Sequence, residues 1–226
     1  MSREREKELA AWTAVDWVKD GMTIGLGSGS TMNVFIEKLG ERVQQGLSVE
    51  AVSSSVKSAR LAEQHGIRVR AMEEATAVEL AVDGADEVTT KGLLVKGGGG
   101  SLLREKLVLE AAEKRLILID AGKYVQAAGA FPLPVEIVPF AYRQTMERIR
   151  RTGLEPELRV RKDEPFVTDN GLWIVDCQTK GVTVNESLHE QLKQLTGVVE
   201  TGIFAAMADD VLIGKTDKVE HLTFSR

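Results

Sequence analysis

The chain has 226 residues, of which 43% are hydrophobic and 28% are charged. This length can bury a sizeable core, either as one large domain or as a large domain that carries a small one. The formal net charge of −5 argues against a general nucleic-acid partner, because binding to a phosphate backbone needs a concentrated basic face. We therefore expect anionic ligands to be bound by local donors.

The number of cysteines and the length of the apolar runs indicate the cellular compartment of the protein. Cys177 is the only cysteine, which excludes an intramolecular disulfide framework, and its apolar neighbours predict a buried small side chain. No run approaches the roughly 18 apolar residues of a membrane span. The first segment, MSREREKELAAW, lacks the apolar stretch of a signal peptide. We expect a cytoplasmic protein with no membrane partner.

The histidines do not predict a metal site or a hydrolase. His65, His189 and His221 lie far apart in the sequence, with no pair at helical spacing. A serine hydrolase of the Ser-His-Asp type would need a nucleophile turn in a catalytic context, and none is present. We expect no metal and no cofactor.

After a first helix that ends near Gly21, the chain predicts a strand, a loop of small residues and a second helix. MTIGLG has the pattern of a strand, GLGSGST that of the loop, and MNVFIEKLGERV that of the helix. Such a loop directs backbone N–H groups and the positive end of a helix dipole at an anion. We predict that Ser28, Gly29, Ser30 and Thr31 bind a substrate phosphate or hydroxyl.

A dinucleotide-binding loop and a turn without a ligand are the alternatives for this segment. The dinucleotide motif G-x-G-x-x-G is broken, because Ser30 stands where the third glycine should be. The acidic residue that should end the next strand is also missing, since Glu50 lies inside SVEAV. Both alternatives remain open but are less favoured.

The stretch from residue 81 to residue 106 concentrates the polar residues that could carry chemistry. The runs TAVELAV and LLV predict strands, so that Asp83 and Lys96 fall at strand ends, where α/β folds bind their ligands. Asp86 follows Asp83 after a Gly-Ala step. The glycine run at 97–100 lets a ligand approach the backbone N–H groups closely. Together these features favour a binding or catalytic site over a turn and a linker.

Glu105 is the candidate general base of this stretch. LLREKLVLEAA predicts a helix that begins after Ser101, a plausible N-cap. Three of the four neighbours of Glu105 at helical spacing are apolar, an environment that suits a working base. Lys106 has equally apolar neighbours, so this pattern alone does not single out Glu105.

The order of elements predicts the fold class. Strands and helices alternate through residues 1–130, which predicts an α/β fold with a Rossmann-like, mainly parallel sheet and helices on both faces. After FPLPVEIVP, which predicts a linker and a short strand, residues 131–205 predict a small α+β, ferredoxin-like domain, with a hairpin at 169–171. Residues 206–226 predict a return to the first sheet. The small domain would then serve as a lid or an oligomerisation domain.

Blocks throughout the chain resemble one family, the ribose-5-phosphate isomerases of type A. These blocks, in chain order, are GLGSGST at 25–31, SSS at 53–55, VDGADE at 82–87, KGGGGSLLREK at 96–106, FPLPVEIVP at 131–139, VTDNG at 167–171 and GVVETGIF at 197–204. The resemblance differs in small ways at Gly100-Ser101 and at Thr196, where the family's pattern has small apolar residues and proline. None of these differences touches a predicted catalytic residue.

The resemblance implies a reaction and roles for the candidate residues. The reaction would interconvert D-ribose 5-phosphate and D-ribulose 5-phosphate in the non-oxidative pentose phosphate pathway, by proton transfer through a cis-enediolate. Glu105 would be the base, Lys96 would stabilise the oxyanion, and Asp83 and Asp86 would handle hydroxyl protons and ring opening. The substrate would be bound by the 28–31 loop and by Gly84, Ala85, Gly97, Gly98, Gly99, Lys123 and Lys7. The family also implies a homodimer or tetramer.

The sequence leaves two alternative functions open. A non-catalytic sugar-phosphate sensor would need the anion loop but not Glu105. A related amino-sugar phosphate deaminase would isomerise its substrate and release ammonia as well. Assays for isomerase activity and for ammonia release would separate the three functions.

Overall fold

The computed structural model describes residues 3–224, and its helices and strands are labelled here in chain order. The α-helices are α1 (Arg3–Val15), α2 (Ser30–Gln44), α3 (Val56–Gln64), α4 (Leu102–Ala111), α5 (Tyr142–Arg150) and α6 (Glu186–Lys193). The strands are β1 (Thr23–Leu26), β2 (Glu50–Ser53), β3 (Arg68–Val69), β4 (Val78–Gly84), β5 (Glu87–Thr89), β6 (Leu94–Val95), β7 (Ala112–Asp120), β8 (Tyr124–Val125), β9 (Leu133–Ile137), β10 (Glu155–Leu158), β11 (Val160–Arg161), β12 (Glu164–Pro165), β13 (Trp173–Gln178), β14 (Val198–Thr201), β15 (Ile203–Phe204), β16 (Asp210–Gly214) and β17 (Val219–Thr223).

The described residues divide into two units, and a seven-stranded sheet organises the first. This unit contains the described residues up to Ala85, then Arg104–Tyr124 and the described residues from Ala206 onward. The strand order is β17-β16-β7-β4-β1-β2-β3. Neighbouring strands are parallel except β16 and β17, which are antiparallel. The predicted mainly parallel sheet and the return of the C-terminal segment to it are confirmed.

Helices cover both faces of this sheet. Ile24 and Leu26 of β1 pack in a core with residues of α1, α2 and α3. Gly25 lies between them and faces the other side, because successive strand residues point to opposite faces. A Cβ atom at Gly25 would lie 2.6 Å from Cγ1 of Val108, so α4 packs closely on that side. The absence of a side chain at Gly25 permits this close approach.

The second unit contains Asp86–Leu103 and Val125–Ala205. Its main elements follow in the order β9, α5, β10, β13, α6, β14, and its four-stranded sheet has the order β10-β13-β9-β14. Adjacent strands of this sheet are antiparallel. This β-α-β-β-α-β arrangement is the ferredoxin-like topology that the sequence predicts. The hairpin of β11 and β12 is inserted between β10 and β13.

The buried core of the second unit includes Cys177, which is 0% exposed on β13. Burial raises the pKa of the Cys177 thiol, and the charge of Asp176 acts in the same direction. The thiol is therefore protonated at neutral pH and unreactive. This agrees with the interpretation of Cys177 as a small buried side chain.

The boundary between the units differs from the predicted one. The prediction assigned residues 1–130 to the larger domain, whereas Asp86–Leu103 and the segment from Val125 belong to the second unit. The physical reason is strand pairing: β5 pairs with β6, and β6 pairs with β15 in a second small sheet. Local sequence does not reveal such pairings, and β5 was not predicted as a strand.

Two local predictions around the prolines and the hairpin have different outcomes. The turn predicted at 169–171 is present, because the Thr168 N–H donates to the Leu172 carbonyl at 2.8 Å. The predicted linker before VEIV is wrong in part, since Pro134 lies inside β9. Pro134 lacks an N–H donor, but its carbonyl accepts a hydrogen bond from the Gly202 N–H at 2.7 Å.

Candidate active site

The loop that follows β1 contacts the end of β4. These strands are parallel neighbours, with Leu26 beside Val82, so their carboxyl ends meet at one edge of the sheet. The Asp83 side chain is 2% exposed, and its Oδ1 accepts hydrogen bonds from the N–H groups of Ser28 at 3.2 Å and Gly84 at 2.7 Å. A Cβ atom at Gly27 would lie 1.9 Å from this oxygen. Only glycine at position 27 leaves room for the Asp83 carboxylate.

Glu105 lies in the first turn of α4 and is 3% exposed. Its Oε1 accepts a hydrogen bond from Oγ of Ser28 at 2.5 Å. Ser28 therefore donates its N–H to one buried carboxylate, Asp83, and its hydroxyl to another, Glu105. Through Ser28, the candidate base on α4 and the Asp83 carboxylate near the end of β4 are linked.

The loop for which the sequence predicts anion binding leads directly into the start of α2. Gly29 precedes the helix with φ = 105°, a conformation that glycine adopts without strain, and this N-cap residue makes no side-chain hydrogen bond to the helix start. Gly29 and Ser30 are exposed, whereas Thr31 is buried. Uncapped N–H groups at a helix start can bind an anion.

Lys123 and Lys7 occupy elements that meet at the end of β7. The half-buried Lys123 donates from Nζ to the Ala85 carbonyl at 2.5 Å. The turn that carries Lys123 contacts α1, because the Ala121 N–H donates to Glu6 Oε2 at 3.3 Å. Lys7 is the next residue of α1, and its ammonium pairs with Glu4 at 2.8 Å. The structure thus brings the turn of α1 that holds Lys7 beside the turn that holds Lys123.

The remaining predicted residues belong to the second unit, where Asp86 contacts the glycine loop, defined here as residues 97–100. Oδ2 of Asp86 accepts a hydrogen bond from the Gly98 N–H at 2.8 Å. A Cβ atom at Gly98 would lie 2.7 Å from Asp86 Oδ1, so the carboxylate lies directly against the backbone. Gly97 and Gly100 have φ of 104° and 91°, which explains glycine at both positions. Gly98 and Gly99 are exposed.

Lys96 directly follows β6 and is buried. The residue is 2% exposed, and its N–H donates to the Gly202 carbonyl at 2.9 Å. Its ammonium lies 5.6 Å from the ring centroid of Phe204, within the range of a cation–π interaction. A buried lysine that packs on an aromatic ring holds its charge in a defined position.

Sequence reasoning did not single out Arg159, which contacts the glycine loop. Its Nη1 donates to the carbonyls of Gly97 at 2.9 Å and Gly98 at 3.3 Å. Its Nε donates to Oδ2 of Asp176 at 2.8 Å, and its Nη2 donates to Oδ1 of the same residue. The available signal was weak: an arginine within the predicted strand LRVR and an aspartate within the mostly apolar run WIVDC.

Two of the three histidines have side-chain hydrogen-bond partners, and the third is a helix C-cap residue. His189 Nδ1 lies 2.8 Å from Oγ1 of Thr201, His221 Nε2 lies 2.6 Å from Asp210 Oδ1, and His65 is the C-cap residue of α3.

Within residues 3–224, no three His, Cys, Asp or Glu side chains form a group that could hold a metal ion. No helix in the same range is both long and apolar enough to span a bilayer.

The fold and the family matches reported below define a class of protein, an α/β enzyme, in which a glycine-containing loop contacts one of two buried carboxylates, Asp83, and donates to the other, Glu105. Residues 50–218 match the model of the family described as ribose 5-phosphate isomerase A (phosphoriboisomerase A). The chain belongs to the ribose 5-phosphate isomerase A family.

Individual relatives cover nearly the whole chain. Ribose-5-phosphate isomerase A of Bacillus mycoides is 45% identical over 216 residues, which are 95% of this chain and 98% of the relative. The structure of ribose 5-phosphate isomerase A from Methanocaldococcus jannaschii is 38% identical with a TM-score of 0.92, over 98% of this chain and 100% of the other. A D-ribose-5-phosphate isomerase in complex with phospho-erythronic acid is 35% identical with a TM-score of 0.94, over 99% of this chain and 100% of the other.

Proposed function

We propose that this protein interconverts D-ribose 5-phosphate and D-ribulose 5-phosphate. The proposal is supported by family membership and by a relative that binds phospho-erythronic acid, an anionic sugar-acid phosphate. The observation that carries it is the buried Glu105 carboxylate, which is hydrogen-bonded to Ser28 in the loop of the predicted phosphate site. A base beside an anion loop is what an aldose–ketose isomerase requires.

Glu105 is the base in this proposal. It takes the proton from C2 of the aldose and returns it to C1, so that the reaction passes through a cis-enediolate. Burial favours this role, because a carboxylate shielded from bulk water keeps the proton near the substrate. The hydrogen bond from Ser28 fixes the direction of the Glu105 carboxylate.

Lys96 stabilises the oxyanion that develops during proton transfer, together with N–H groups of the glycine loop that are not bonded to Asp86. Donors that are fixed before the reaction lower the barrier most effectively. Lys96 meets this requirement through its burial and its contact with Phe204. Lys96 and the glycine loop are assigned to the same reaction as Glu105 because all of them belong to the family motif and because the enediolate route needs both a base and oxyanion donors.

Asp83 and Asp86 move hydroxyl protons and assist the opening of the furanose ring. Asp83 is held by two backbone N–H groups, and Asp86 by one. Such bonds keep each carboxylate in one orientation, which suits a group that exchanges protons with a sugar hydroxyl.

The substrate is bound by the loop of Ser28, Gly29, Ser30 and Thr31, by Gly84 and Ala85, and by Lys123 and Lys7. The uncapped start of α2 supports phosphate binding, and Lys123 lies beside the Ala85 carbonyl. Lys7 follows Glu6 on α1, and Glu6 contacts the turn that carries Lys123. This position supports a long-range contribution of the Lys7 charge to phosphate binding.

The wider setting follows from the same proposal. The reaction belongs to the non-oxidative pentose phosphate pathway, takes place in the cytoplasm and needs neither metal nor cofactor. The protein acts as a homodimer or tetramer, in which the ferredoxin-like unit serves as a lid or an oligomerisation domain.

The test is a coupled assay of the purified protein with ribose 5-phosphate. Turnover to ribulose 5-phosphate without ammonia release from glucosamine 6-phosphate supports the proposal. Zero turnover by well-folded protein would overturn it. Binding of ribose 5-phosphate without turnover would instead indicate a sensor, and ammonia release would indicate a deaminase.

A further inference from the structure

Arg159 is not among the predicted site residues, but its side chain contacts two of them, Gly97 and Gly98. It follows β10, and its own N–H donates to the Ile174 carbonyl on β13 at 2.9 Å. Its side chain forms a two-pronged ion pair with Asp176 of β13, through Nε and Nη2. A planar guanidinium bound in this way has a defined orientation. The remaining nitrogen, Nη1, is therefore held in a fixed position.

Nη1 of Arg159 is the donor that reaches the glycine loop. It lies 2.9 Å from the Gly97 carbonyl and 3.3 Å from the Gly98 carbonyl. A run of glycines has more backbone freedom than any other sequence, so its conformation must be fixed by contacts with the rest of the protein. Arg159 supplies two such contacts from one atom.

The geometry of the peptide bond links these contacts to Asp86. In a trans peptide the C=O of one residue and the N–H of the next point in opposite directions. The Gly97 carbonyl points to Arg159, and accordingly the Gly98 N–H points away from it and donates to Asp86 Oδ2 at 2.8 Å. The next peptide obeys the same rule, so that the Gly99 N–H also points away from Arg159.

Phe166 extends the same support to the end of the loop. The guanidinium carbon of Arg159 lies 5.8 Å from the Phe166 ring centroid. A Cβ atom at Gly100 would lie 2.4 Å from Cζ of Phe166, which means that the ring lies directly on the loop. Arg159 and Phe166 thus restrain both halves of the glycine loop.

We propose that Arg159, anchored by Asp176, is a positioning residue for the isomerase reaction. It holds the carbonyls of Gly97 and Gly98 on one side, which turns the N–H groups of Gly98 and Gly99 to the other side. One of these N–H groups orients Asp86, and the other is left to stabilise the oxyanion. This inference rests on the function proposed above, whereas its geometric part concerns the loop alone.

Kinetics of single variants test the catalytic part. Arg159→Met removes the donors but keeps the aliphatic stem, and we expect kcat to fall about 10- to 100-fold, because donors to the oxyanion act mainly in the transition state. KM should change by less than about threefold. Arg159→Lys should restore part of kcat, and Asp176→Asn should give an intermediate loss. Arg161→Met is the matched control, since Arg161 is an exposed arginine two residues away, and it should have normal kinetics.

A spectrum of protein labelled with ¹⁵N-glycine tests the geometric part without any assay. We expect the amide proton of Gly98 to move upfield in Arg159→Met, because its hydrogen bond to Asp86 weakens, and to stay in place in Arg161→Met. Normal kcat in folded Arg159→Met, or an equal loss in Arg161→Met, would overturn the proposal, as would an unmoved Gly98 resonance. If circular dichroism finds Arg159→Met unfolded, Arg159→Lys decides by the same two readouts. Should the wild-type protein prove inactive, the proposed function fails, while the Gly98 resonance still decides whether Arg159 orients the loop.

Discussion

At the scale of single residues, Ser28 connects two buried carboxylates of the first unit, Asp83 and Glu105. Its N–H bonds to Asp83 at 3.2 Å and its hydroxyl to Glu105 at 2.5 Å. A serine hydroxyl can rotate, so it can follow a change in the protonation of Glu105 without movement of the backbone. The roles of Glu105 and of the two candidate lysines can each be tested by one substitution.

Glu105→Gln keeps the size of the side chain and an oxygen that can accept from Ser28, but it removes the base. We expect kcat to fall by at least about 10² with KM largely retained. Glu110→Gln on the exposed side of the same helix is the matched control and should have normal kcat. Near-normal kcat in Glu105→Gln would move the base to another group, with Asp83 the first candidate.

Lys96→Ala and Lys123→Ala distinguish transition-state from ground-state binding. We expect Lys96→Ala to lower kcat/KM more, because a buried ammonium fixed at a strand end suits a developing oxyanion. The half-buried Lys123 should affect mainly KM. Lys91→Ala is the control, because Lys91 is an exposed lysine outside the proposed site, and it should have normal kinetics. The opposite ranking in steady-state kinetics would exchange the two roles.

At the scale of elements, the loop between β1 and α2 depends on close packing against β4. β1 and β4 are parallel neighbours, and the loop follows directly after the paired residues. Gly27 lets the loop pass over Asp83, and Gly29 starts α2 with a positive φ. The loop and the Asp83 carboxylate therefore form one packed arrangement.

Gly27→Ala should disrupt this arrangement. Its Cβ would lie 1.9 Å from Asp83 Oδ1, so either the loop or the carboxylate must move. We expect kcat/KM to fall about 100-fold, the loss typical of an approximately 1 Å displacement of a catalytic group. Gly46→Ala, just beyond the other end of α2, is the matched control. A Cβ atom at position 46 would meet no other atom within 4 Å, so the only cost is the backbone strain of alanine at φ = 107°.

That control should lose about 1–2 kcal/mol of stability with unchanged kcat/KM. Denaturant unfolding and steady-state kinetics measure the two quantities. Equal kinetics for Gly27→Ala and the wild-type protein would contradict the assigned role of Asp83.

At the scale of the whole molecule, the proposed proton transfer predicts exchange with solvent. A proton held on a carboxylate can exchange with water before it is returned, whereas a hydride shift keeps the original hydrogen. We expect turnover in D₂O to place deuterium on C1 of ribulose 5-phosphate, or on C2 of ribose 5-phosphate in reverse, as measured by NMR or mass spectrometry. Exchange can be partial in a site that excludes water.

Two outcomes would contradict this mechanism or the assignment of its base. Strictly zero incorporation over many turnovers, together with complete transfer of a C2 label to C1, would exclude the enediolate route. Exchange that survives in Glu105→Gln would retain the enediolate but assign the proton to another group. Glu110→Gln should exchange at the wild-type rate.

Patterns within short segments determined much of the fold. The alternation of apolar strands and amphipathic helices predicted the mainly parallel sheet, because burial on both faces demands continuous apolar strands. Asp83 and Lys96 were placed at strand ends by the length of the runs before them. These features depend only on neighbours in the sequence, and for that reason the sequence alone revealed them.

Tertiary structure decided which of these residues touch. Ser28 and Glu105 are separated by 77 positions, and Arg159 and Gly97 by 62, so no local pattern links them. Pairing of β6 with β15 moved Asp86–Leu103 into the second unit. The need for glycine at position 27 also comes from a distant carboxylate. Contacts of this kind depend on strand order and packing distances, which the folded chain fixes and a single short segment does not encode.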